Sequence, residues 1–127
     1  MAKAAIVRDS EGKFYGIKIL CPACLWPDGK PMLKVLPVTW LPAGETEESP
    51  HVAGKPHWSF NGDFENPVLG PSVLQWWGDE GSERYRRCHS FIGCNGAQPG
   101  QITFLSDCSH SLAGQTVDLP DTIDGDE

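Results

Sequence analysis

The chain has 127 residues, enough for one domain that buries about two-thirds of its unfolded surface. Its 14 glycines and 11 prolines, with no long stretch of helical apolar spacing, exclude a helical bundle and predict turns and strands. The formal charge of −7 is uneven: without residues 118–127, which hold Asp118, Asp121, Asp124, Asp126 and Glu127, 12 acidic groups face 10 basic ones, a near-neutral body unsuited to broad nucleic-acid binding.

In chain order, Lys3–Arg8 and Lys13–Leu20 read as strands around the turn Asp9-Ser10-Glu11-Gly12. The second strand delivers the chain into Cys21-Pro22-Ala23-Cys24, and Pro27-Asp28-Gly29 turns it back. Leu33–Val38 is the next strand, and residues 42–56 form a polar loop without periodicity, expected to be the mobile segment of the body. Pro56–Phe60, Ser72–Trp77, Glu83–Ile92, Gln101–Leu105 and Thr116–Leu119 complete the strands, with Phe91-Ile92 and Ile102-Phe104 facing each other across a widened hairpin loop. The one helical turn is expected at Ser109–Ala113, with Asp107 or Ser109 as cap and Gly114 as terminator. The fold class is therefore mainly β: a small single-domain antiparallel sheet and hairpin fold (residues 1–119) organised around one zinc site, with a flexible acidic tail at 120–127.

The zinc expectation starts from Cys21-Pro22-Ala23-Cys24. A proline between two cysteines stiffens a turn, so that both thiolates address one metal. No apolar run approaches membrane-spanning length and the N-terminus is charged too early for a signal peptide, which places the chain in the cytoplasm, where thiols stay reduced. Five cysteines there point to metal before disulfides. Redox cycling of the pair is the rival. It needs a helix opening at the motif, and Leu25-Trp26-Pro27-Asp28-Gly29 cannot run on as one.

The far half of the site offers more donors than zinc needs. Cys88 and His89 are adjacent, so a strand points them to opposite faces; Cys88 is the expected ligand and His89 its alternative. Cys108 and His110, two residues apart, share a face. Cys108 is taken to complete the tetrahedron, with His110 as the alternative and the unused group beside the metal. Cys94 is incidental, and His51 and His57 face solvent. The aromatics Trp58, Phe60, Trp76 and Trp77 read first as sheet cover; with Asn61 they also form a candidate ligand groove. Arg84, Arg86 and Arg87 are expected to pair with local carboxylates.

Four segments in order, Cys21–Cys24, Trp58–Asp63 with Asn66-Pro67 and Pro71-Ser72, Arg87–Ile92, and Ile102–Pro120, resemble a family of small, functionally uncharacterised proteins of tailed phages and prophages. Some members carry an ammonia monooxygenase label that no residue here supports, and distant relatives stand beside bacterial ubiquitin-like conjugation genes. The resemblance spans about residues 15–121. It departs at Leu25, where glycine is usual, and in the longer hairpin that holds Cys94. It implies a zinc-binding β domain and no reaction.

Two functional classes follow. In the first, zinc is structural and the domain is a binding or accessory module for a protein partner, host or phage, in the host cytoplasm. In the second, zinc keeps an open position, with His89, His110 or Asp107 moving a proton as in a hydrolase or deaminase. The H-x-E with P-C-x-x-C arrangement and H-E-x-x-H are both missing, which favours the module.

Overall fold

A computed structural model describes residues 2–79, 81–83 and 85–121. The acidic tail expected at 120–127 lies, from residue 122 on, outside the described residues. Among the described residues, eight strands form two antiparallel sheets. In the first, β1 (Ala4–Arg8), β2 (Phe14–Leu25) and β3 (Pro31–Leu36) lie in the order β1-β2-β3. In the second, β4 (Ser59–Phe60), β5 (Leu69–Trp77), β6 (Arg86–Ile92), β7 (Gln101–Phe104) and β8 (Thr116–Asp118) lie in sequence order.

The sheets share one core. Strand alternation sends Ile17, Ile19 and Cys21 of β2 to the same side, where they join Leu69 and Val73 of β5, Cys88 and Ile92 of β6, and Ile102 and Phe104 of β7. Trp40 closes one end, edge-on to Phe14, Phe60 and Phe64 at centroid distances of 5.8, 5.1 and 5.7 Å. One segment runs between the sheets: Trp58 forms a parallel bridge with Val38, and the next two residues pair antiparallel with Gly70 and Leu69 of β5.

Three expectations are corrected. Residues 109–113 hold a hydrogen-bonded turn, with the Ala113 amide on the His110 carbonyl at 3.3 Å, but no helix. Ser109 donates its amide to the Arg87 carbonyl and its hydroxyl accepts the Arg87 amide, so the would-be cap extends the sheet along β6. The helical turn instead spans Pro50–Val52 inside the polar loop, where Ser49 caps it and Val52 is fully buried. That loop is tied down: Phe14 bridges Glu48, the Ser49 hydroxyl donates to Asp9 at 2.6 Å, and His57, which was expected in solvent, meets Glu48 at 3.0 Å.

Gly93 ends β6 at φ +75°, and a Cβ there would sit 2.6 Å from the Pro67 carbonyl oxygen. Left-handed backbone and a backbone collision act together at this position. Gly93→Ala is expected to cost about 2–3 kcal/mol in urea unfolding; an unchanged midpoint would contradict the close approach.

Candidate metal centre

The Cys21–Cys24 knuckle is a bulge within β2. Cys21 is still paired with Met32 of β3, pairing resumes at Leu25 opposite Pro31, and the residues between are thrown out of register. This brings the two sulfurs to 3.1 Å on the core side, both buried. Cys88 reaches the same point from β6, its sulfur 4.0 Å from that of Cys21. All five cysteines are free thiols. The sulfurs of Cys21, Cys24 and Cys88 lie within 4.8 Å of one another, and those of Cys88 and Cys108 are equally close to a ring nitrogen of His110. A tetrahedral ion with metal–sulfur bonds of about 2.3 Å sets its ligand atoms about 3.8 Å apart, so the buried three-cysteine cluster fits a metal ion.

The two remaining donors differ. The Cys108 sulfur is engaged on both sides by one residue, accepting the His89 amide and donating to the His89 carbonyl, each at 3.2 Å. A thiolate so close to a carbonyl oxygen is repelled, so this contact needs the protonated thiol. The His110 ring stands edge-on to Phe104 at 4.6 Å, and its Nδ1 accepts the Leu112 amide. Its Nε2 is buried without a hydrogen-bond partner among the described residues. Burial lowers the His110 pKa, which keeps the ring neutral.

Sequence reasoning missed Lys34. It lies opposite Ile19, and cross-strand partners share a face, so the side chain points into the core. Lys34 is 2% exposed, and its ammonium donates to the Cys88 sulfur at 3.1 Å. Burial opposes this charge, and the sulfurs of Cys21, Cys88 and Cys24 outweigh it, so the Lys34 pKa is raised. Hydrogen bonds from Cys24 and Cys88 pull the Cys21 thiol far down, while Cys24, bonded to Cys21, is pushed up. The cluster is poised to hold negative charge on sulfur. The alternation Met32, Lys34, Leu36 was the available signal, because it places a lysine between two core-facing apolar residues.

His89 belongs to neither group. It points to the other face of β6, where Nε2 meets the Ser72 hydroxyl at 3.1 Å and Nδ1 meets Asp107 at 3.3 Å. Asp107 is also held by Arg87 at 2.9 Å, whereas Arg86 donates to the carbonyls of Glu83 and Tyr85. Cys94 sits in the hairpin loop, half-buried. The five residues of the candidate groove do not meet in one place. Phe60 is in the aromatic core, Asn61 holds the turn to Val68, and Trp58 donates to the Ser72 carbonyl. Trp76 and Trp77 instead join Trp26 beside Cys24, around a cavity of about 440 Å³.

No protein-family model, curated protein or solved structure matches the chain. No helix among the described residues is long and apolar enough to cross a membrane.

Proposed function

We propose that the protein binds one zinc ion through Cys21, Cys24, Cys88 and His110, that the ion is structural, and that the domain is a binding module. The observation that carries this is the buried Nε2 of His110, without a hydrogen-bond partner among the described residues, on a ring whose nitrogen lies within 4.8 Å of the same Cys88 sulfur that joins Cys21 and Cys24. Charge supports the choice of His110 over Cys108. Zinc with three thiolates and a neutral imidazole carries one net negative charge, which the Lys34 ammonium cancels; a fourth thiolate leaves one buried charge uncancelled. Four protein ligands also leave no open position, and His89 and Asp107 stand on the far side of β6, which favours a structural ion over a proton-transfer site. Free thiols favour a reducing compartment such as cytoplasm. The phage-protein resemblance favours a host or phage protein as partner.

Protein purified without chelator is expected to carry one zinc per chain. His110→Ala is expected to weaken zinc by at least about 100-fold, and Cys108→Ala by no more than about tenfold. The reverse order would restore Cys108 as the ligand. A neutral ring that ligates through Nε2 carries its hydrogen on Nδ1, so zinc loading also displaces the Leu112 amide and shifts its NMR resonance.

A further inference from the structure

Six large apolar side chains are exposed among the described residues: Leu25, Trp26, Leu33, Leu74, Trp76 and Trp77. All six line one of two cavities that meet at Cys24, of about 440 and 260 Å³. Scattered exposure needs no explanation, but a contiguous patch holding three tryptophans marks a contact surface.

The backbone beneath the patch is unpaired. β3 is the outer strand of its sheet, and β4 covers only Leu69 and Gly70 of β5, so residues 73–77 form a second open edge. The larger cavity lies between Met32–Lys34 of β3 and Leu74–Trp77 of β5. A further cavity of about 270 Å³ continues between Val35–Pro37 and Val73–Gln75. At the end of this gap the chain supplies its own filler: Trp58 bridges Val38 on one side and leads into β4, which pairs with β5 on the other. The slot between the sheets thus already holds one extended segment, and the chain leaves it at Pro56.

Charge narrows the occupant. In a chain of net charge −7, the walls of these three cavities contribute Lys34, Lys55, Arg86 and Arg87 and, among the described residues, no carboxylate. Arg87 is matched by Asp107, whereas the bonds of Arg86 among the described residues go to backbone carbonyls.

We propose that the gap between β3 and β5 receives an extended segment of a partner protein, apolar or aromatic at alternate positions and carrying a carboxylate that meets Arg86. The segment adds as a strand in line with β4, antiparallel to β5 and parallel to β3. Main-chain bonds to the two edges hold it, and Trp26, Trp76 and Trp77 supply the side-chain pockets. This deepens the binding-module reading and rests on it.

The test pans a displayed library of random linear 12-residue peptides against the full chain of verified zinc content. Affinities of the selected peptides are then measured by fluorescence polarisation. Enriched peptides are expected to alternate apolar residues and to carry Asp or Glu. Trp76→Ala is expected to weaken them at least about tenfold, and Arg86→Glu to weaken acidic peptides while sparing variants in which lysine replaces the acid. Both side chains are exposed, so neither change threatens the fold. Absence of enrichment, binding indifferent to both substitutions, or a dimer formed through these edges in light scattering would each overturn the proposal. A zinc-loaded chain that takes no peptide sinks this inference alone; a folded chain without zinc sinks the metal reading and leaves the groove to be judged by the same panning.

Discussion

Replacing Cys88 with serine is expected to strip the protein of its metal and unfold it. Cys88 is fully buried and is the donor shared by both groups of potential ligands. It is also the one cysteine that ties β6 to the β2 bulge, so its loss separates the two sheets at the metal. A structural zinc site contributes about 10–16 kcal/mol of apparent binding energy, comparable with the whole stability of a domain of this size. The expected loss is at least about 5 kcal/mol, read as a fall in Tm of about 15 °C or more. Chelator added to the unmodified protein is expected to produce the same fall. Cys94→Ser is the control, because Cys94 stands in the hairpin loop away from both groups, and it is expected to retain zinc and Tm. A Cys88→Ser protein that melts like the parent would show that the shared apolar core, not the ion, holds the sheets together.

Lys34→Met is expected to have the second largest effect. The methionine keeps most of the side-chain volume and removes only the ammonium that donates to Cys88. Breaking a buried charge pair by deleting one partner costs about 3–5 kcal/mol, because the other charge stays buried and unmatched. In the proposed site the remaining charge is the net −1 of zinc with three thiolates. Zinc affinity is therefore expected to fall about 10–100-fold, measured by competition with a chromophoric chelator. The direction separates two accounts of this lysine. If Lys34 were only a packing residue, methionine would bind zinc as well as the parent and raise Tm.

Much of the fold was legible because period-two patterning and turn residues are local signals. The strand segments were read near their observed positions, from Ala4–Arg8 to Thr116–Asp118. The errors arose where a local preference lost to a long-range bond. Ser109 has the chemistry of a helix cap, but Arg87, far away in sequence, takes both its amide and its hydroxyl. The loop of residues 42–56 looks mobile by composition, but Val52 is buried and Ser49 bonds Asp9. At the site, the CxxC spacing announces Cys21 and Cys24, and strand alternation separates Cys88 from His89. What spacing cannot express is the environment of the fourth donor. Cys108 and His110 look equivalent in sequence, yet one is matched by His89 and the other has no partner at Nε2 among the described residues. Lys34 escaped notice because a lysine in a strand reads as an outward residue until the register with Ile19 is known.

The most direct test is X-ray absorption at the zinc edge of the full chain, purified without chelator. The proposed site predicts one zinc per chain with three sulfur neighbours at about 2.3 Å and one nitrogen at about 2.0 Å, and no water oxygen. Four sulfurs, a first shell containing water, or no bound zinc would contradict it.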